Sequence, residues 1–146
     1  MEAKSVISKL PYSKPFLFVD AIEKLDDNGI AGYYTFHKDE YFYEGHFKDN
    51  PITPGVILTE CMAQIGLVCF GIHLLKDELD KGINIAMSST EIDFLKPVFP
   101  EEKVKVISQK IYFRFNKLKC KVKMLNSQGE VVCNGTISGM LILKGS

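Results

Sequence analysis

The chain has 146 residues, 46% of them apolar and 25% charged, which suits one globular domain around one core. Its 18 basic and 18 acidic residues cancel, so no charge excess points to nucleic acid or to an anionic membrane. Four cysteines (Cys61, Cys69, Cys120, Cys133) show neither CxxC nor Cys/His ligand spacing. That argues against a metal site and for reduced, buried thiols in a cytoplasmic protein.

MEAKSVISKLPY has no apolar core of a signal peptide, and residues 4–9 suit a short helical turn. FLFVDAIEKL (16–25) reads as a strand, DDNG (26–29) as a turn, and IAGYYTFHK (30–38) as the hairpin partner. DEYFYEGHFKDNPI is irregular, rich in aromatics and turn formers. A helix is predicted from Thr53-Pro54 to about Leu75–Leu79, with Thr53 as N-cap and Pro54 at the first helical position. Four strands follow: INIAMSSTEIDFL, KVKVISQKIYFRF, KCKVKMLN and VVCNGTISGMLIL. FNKLK and NSQGE turn the last three into a meander.

The helix is apolar on every face, so protein must enclose it. Its Val56–Leu75 stretch is long enough to cross a membrane, but it carries Glu60, Gln64 and His73, and a buried helix is the expectation. The late strands alternate, as in Lys117, Lys119, Lys121 and Lys123 against Leu118, Cys120 and Val122. One face is therefore packed and one solvated. The fold class is α+β: a single curled antiparallel sheet wrapped around one long central helix, with 1–146 as one domain.

Two polar residues in this frame carry chemistry. Glu60 sits among apolar helix residues, where burial raises a carboxyl pKa and makes it a proton donor near neutral pH. A buried Glu satisfied by Gln64 or by a backbone group is the structural alternative. His46 stands in a Gly-flanked loop that leads through PITPG to a helix N-terminus, where the N–H groups near Gly55 are free. His37 and His73 read as surface residues. A base, a carboxylic acid and amide donors can move protons beside a carbonyl without a metal, nucleophile or cofactor. Proton abstraction next to a carbonyl, coupled to loss of a β-hydroxyl, is the chemistry suggested.

Three blocks, LPYSKPFLFVDAI, FYEGHFKDNPITPGVILTECMAQIG and DFLKPVFPEEKV, resemble the bacterial 3-hydroxyacyl-[acyl-carrier-protein] dehydratases of the Z type, a hot-dog fold family. The resemblance spans most of the chain in the family's order, and the middle block is highly specific. It implies that His46 and Glu60 are catalytic, that the Gly55 amide faces the thioester carbonyl, and that Gln64 orients the Glu. It further implies a site shared across a dimer, His from one chain and Glu from the other, in dimers or trimers of dimers. The reaction implied is dehydration of a 3-hydroxyacyl thioester, carried on acyl carrier protein through phosphopantetheine, to a trans-2-enoyl thioester in fatty-acid, polyketide or polyene synthesis.

An apolar acyl tunnel would use Met62 and Ala63, with Phe94 and Leu95 nearby or simply part of the core. Lys96 and Arg114 are the candidate carrier-protein contacts; the Lys117–Lys123 stripe is a further candidate or an ordinary solvated face. The chain departs from the family at LPYS (10–13), at Lys48 after the His46-Phe47 pair, at Pro100-Glu101-Glu102 and at INIAM (83–87). These segments bear on substrate length, gating and assembly. Two rival readings remain: a hot-dog acyl thioesterase, with Glu60 as sole base, and a non-catalytic acyl-binding subunit.

Overall fold

The computed structural model describes residues 2–76 and 83–143. A short helix, α1 (Ala3–Ser8), precedes the hairpin β1 (Ala21–Leu25) and β2 (Gly29–Thr35). A single 3₁₀ turn (Tyr41–Glu44) leads to the central helix α2 (Gly55–Leu74), and four strands follow: β3 (Ile83–Phe94), β4 (Lys103–Arg114), β5 (Lys117–Leu125) and β6 (Val131–Leu143). All six strands form one antiparallel sheet in the order β1-β2-β4-β5-β6-β3, curled around α2 as the hot-dog arrangement requires.

The alternation in β5 sets which face is inside. Leu118, Cys120, Val122 and Met124 are essentially inaccessible, while the intervening lysines face outward. These inward residues meet α2, whose most apolar 18-residue window is 83% buried; its apolar surface is spent inside its own sheet. Helix and sheet approach closely where side chains are small. A Cβ at Gly71 would lie 1.8 Å from Ile85 Cδ1, so any larger residue there would have to displace that side chain. The helix widens into a π-turn over Gln64–Cys69, and Ser108 Oγ donates to the Gly66 carbonyl at 2.8 Å. All four cysteines are free and buried.

Several local expectations are corrected. The first strand covers only Ala21–Leu25. Phe16–Phe18 instead cross the helix, and their backbone bonds to the Gln64 side chain. The helix N-cap is Pro54, not Thr53, because the Thr53 hydroxyl is engaged with Tyr43. The helix ends at Leu74, and positions 77–79, at the far limit of the sequence expectation, lie outside the described residues. His37 follows β2 and is exposed, as expected of a surface histidine. His73 is not a surface residue: it is 6% exposed, and its Nε2 lies 3.0 Å from Asp27 Oδ1 on the β1–β2 turn.

Candidate active site

His46 lies just beyond the 3₁₀ turn, in a loop that folds back on itself. Its backbone N–H donates to Phe42 O (3.1 Å), and its carbonyl accepts from Ile52 N–H (2.9 Å). The imidazole stacks on Phe47 at 4.1 Å between centroids. His46 Nδ1 is 2.9 Å from the Ile52 carbonyl oxygen. A carbonyl can only accept, so Nδ1 carries the proton, and in the neutral ring the lone pair belongs to Nε2. The partly buried ring therefore presents a base.

Glu60 is on the second turn of α2, half-buried. Burial pushes its carboxyl above the usual range, and a hydrogen bond from Gln64 partly opposes this. Gln64 is wholly buried and its amide is fixed from both sides. Its Oε1 accepts from Phe18 N–H (2.8 Å), so Nε2 faces the other way and donates to Phe16 O (3.0 Å) and Glu60 Oε2 (3.1 Å). A proton on Glu60 must then sit on Oε1, the oxygen that Gln64 does not hold. Tyr12 belongs to the same neighbourhood. Its phenol is pushed up to about 12, first by burial and then by the charge of Glu60. The Tyr in LPYS was visible as a departure, but nothing in the sequence placed it near the acid.

Gly55 opens α2, where no intrahelical acceptor exists for its N–H and the helix dipole is positive. The Phe94 ring covers it so closely that a Cβ would come within 3.2 Å. Phe94 and Leu95 are 52% and 57% exposed in the single chain, which removes the plain-core reading for both. Met62 and Ala63 are buried, Met62 Sδ lying 3.7 Å from Cys133 Sγ. Val56, next to Gly55, is 77% exposed, so apolar surface lies open where Phe94 covers the helix entrance.

The structure brings Glu60 and Gln64 together, and Gly55 with Phe94, but no hydrogen bond joins His46 to Glu60 among the described residues of one chain. The two candidate carrier contacts are also apart. Lys96 follows β3 at the Gly55 end and is paired with Glu130 (2.7 Å). Arg114 stacks on Tyr112 (4.4 Å) and aligns through Lys117 and Met140 with Ala86, near the other end of β3. Lys96 lies ten residues further along the chain than Ala86, so the two cations stand at opposite ends of the sheet. No cluster that could hold a metal occurs among the described residues.

Residues 10–138 match the model of the FabA-like domain family. A 3-hydroxyacyl-[acyl-carrier-protein] dehydratase FabZ from Rhizobium rhizogenes is 34% identical, over 95% of this chain and 87% of its own length. The FabZ of Caldicellulosiruptor bescii is 33% identical, over 90% and 92% respectively. Among solved structures, a mutant of a hypothetical thioesterase from Streptococcus pneumoniae superposes with a TM-score of 0.64 at 19% identity, covering 84% of this chain and 90% of that one. AziG of S. sahachiroi gives 0.63 at 14%, with the same coverage. At such identities these two share the fold and nothing finer. The family match over residues 10–138 and the two dehydratases settle the family: the chain belongs to the FabA-like family, among relatives of the FabZ 3-hydroxyacyl-[acyl-carrier-protein] dehydratases.

Proposed function

We propose that this protein removes water from a 3-hydroxyacyl thioester borne on acyl carrier protein, giving the trans-2-enoyl thioester in fatty-acid synthesis or a related acyl pathway of the cytoplasm. The observation that carries this reading is a complementary pair of groups: a histidine whose Nδ1 faces the Ile52 carbonyl and leaves Nε2 without a partner among the described residues, and a carboxyl whose affinity for its proton is raised by burial. The thioester carbonyl accepts from the Gly55 N–H, and the helix end stabilises the enolate charge that develops. His46 Nε2 takes the α-proton. The C–O bond at the β-carbon breaks as Glu60 Oε1 gives its proton to the departing hydroxyl, which leaves as water. The proton on His46 then returns to Glu60 through solvent.

A second chain completes the site in this reading. His46 and Glu60 are not joined within one chain, and β3 offers a means of pairing. It is a twelve-residue edge strand whose outer side meets no other strand among the described residues, with Met87 and Phe94 exposed along it and Leu95 exposed just beyond it. Such an edge is a template for a second copy. Pairing there covers the apolar surface around Gly55 and supplies His46 from one chain to Glu60 of the other, in a dimer or a trimer of dimers. The acyl chain runs past Phe94 and Leu95 toward Met62 and Ala63. The carrier docks at the Lys96 end, where the helix N-terminus lies; Arg114, which closes β4 at the opposite end of the sheet, comes near that site only from the partner chain.

The test is turnover of purified protein on 3-hydroxyacyl-carrier substrates, with products resolved by mass spectrometry. Loss of water supports dehydration. Release of free acid would establish the thioesterase reading instead, and unchanged substrate the non-catalytic one.

A further inference from the structure

Two buried hydroxyls link the parts of the site that must act together. Tyr43, in the 3₁₀ turn, is 7% exposed; Thr53, just ahead of Pro54, is 3% exposed. Tyr43 Oη and Thr53 Oγ1 hydrogen-bond to each other. Burial pushes the Tyr43 phenol up to about 12, so it stays protonated through the neutral range.

The loop between them carries His46 and the Ile52 carbonyl that fixes its tautomer. Its own bonds, Ile52 N–H to His46 O and the reciprocal pair between Phe47 and Asn50, hold the loop to itself. Among the described residues, its backbone hydrogen bonds to the rest of the fold are made at its two ends. On one side His46 N–H donates to Phe42 O, next to Tyr43. On the other, Thr53 N–H donates to Val98 O, and the chain passes directly to Pro54 and Gly55. The Tyr43–Thr53 bond is the side-chain tie across that base. It joins the turn before the base to the segment that ends in the carbonyl-binding amide.

We propose that Tyr43 and Thr53 form a hydroxyl clamp that sets the position of His46 Nε2 relative to the Gly55 N–H, so that both are positioning residues for proton abstraction. This rests on the dehydratase reading above. Neither hydroxyl needs to touch substrate. Without either one the other is buried and unpaired, and the loop is free to shift against the helix end. A displacement of about 1 Å between reacting groups can cost up to about a hundredfold in rate.

Four variants of the full chain test it: Tyr43→Phe, Thr53→Val, Thr53→Ser and the double Tyr43→Phe/Thr53→Val. Each is assayed well below its unfolding midpoint. Tyr43→Phe and Thr53→Val should each lower kcat about tenfold, with KM within about twofold. Thr53→Ser, which keeps a hydroxyl, should retain nearly wild-type kcat. The double variant should be no slower than either single, because one bond is lost in all three. Nitrogen-15 spectra of the His46 imidazole should show the Nδ1–H tautomer in the wild type and a mixture of tautomers in Tyr43→Phe. Unchanged kcat with only a lowered melting temperature overturns the clamp, as does a double variant whose loss is the product of the single losses. If the wild type proves to do no dehydration, the tautomer measurement still decides: an unaltered Nδ1–H tautomer in Tyr43→Phe refutes the clamp independently of the activity.

Discussion

Gln64 holds Glu60 from one helical turn away, and it can do so in one orientation only. Its Oε1 is taken by Phe18 N–H, so Nε2 is directed at Glu60 Oε2, 3.1 Å distant. The acid is thus presented with a defined free oxygen, and the holder is itself tied to the segment that crosses the helix.

Replacing Gln64 by Met, similar in length but apolar, leaves the buried Phe18 N–H and Phe16 O without partners. Melting experiments should show a loss of about 1–3 kcal/mol. The reaction should slow about tenfold as Glu60 loses its orientation. The Gln64 hydrogen bond favours the ionised carboxylate, so removing it raises the Glu60 pKa further. The alkaline limb of the kcat profile should therefore move to higher pH. A limb that stays in place, or moves to lower pH, excludes Gln64 as the tuning partner.

Glu60 should also mark the pH dependence of stability. Its pKa in the fold is raised, so the folded state binds the proton more tightly than the unfolded one. Stability from this group is present below the ordinary carboxylate range and is lost as pH rises through the folded pKa. Glu60→Gln has no such loss. The difference in melting temperature, variant minus wild type, should increase from acid toward neutral pH and then level off. A difference that is flat or falls over that window contradicts a desolvated Glu60.

Much of this was legible in the residues, for physical reasons that also explain the misses. The Lys/apolar alternation of 117–124 gives the two faces of β5, and the helix that is apolar all round requires a sheet around it. His46 and Glu60 stand out because each is polar in a place that needs a reason. The run FLFVD looks like a strand because it is apolar, yet its backbone bonds go to a side chain forty-six and forty-eight positions away in sequence, which no local period records. Thr53 has the chemistry of a cap, but Tyr43 takes its hydroxyl first. His73 is buried near the helix end, where Asp27 meets it from the β1–β2 turn. Each miss is a long-range polar contact that overrides a sound local preference.

The turn before β4 offers a test of one departure from the family pattern. Glu101 has φ of 70°, a left-handed conformation that a side chain disfavours and glycine accepts. Its side chain has no hydrogen-bond partner among the described residues, whereas Glu102 Oε1 accepts from Phe99 N–H. Glu101→Gly should therefore raise stability by about 0.5–1 kcal/mol, the relieved strain outweighing the greater entropy of glycine in the unfolded chain. Thermal unfolding decides it, and a lower midpoint in the variant would mean that the carboxylate makes a contribution in solution that outweighs the strain.

The last prediction concerns the shared site. His46→Ala and Glu60→Gln should each reduce dehydration at least about a hundredfold with the fold intact by circular dichroism. If the two residues act across a dimer, these dead variants rescue each other. Unfolding and refolding them together in equal amounts gives mixed dimers as about half of all dimers, on statistical pairing. In each mixed dimer one site carries both substitutions and the other carries neither. Activity should then return to roughly a quarter of wild type, if sites act independently. If both residues acted within one chain, no mixed dimer would hold an intact site, and the mixture would be as inactive as its parents. Mass spectrometry of differently labelled chains confirms whether exchange has occurred. Confirmed exchange without recovered activity would overturn the shared site, and the pairing of β3 edges as its basis, while leaving the dehydration chemistry of His46 and Glu60 to be judged by the product assay.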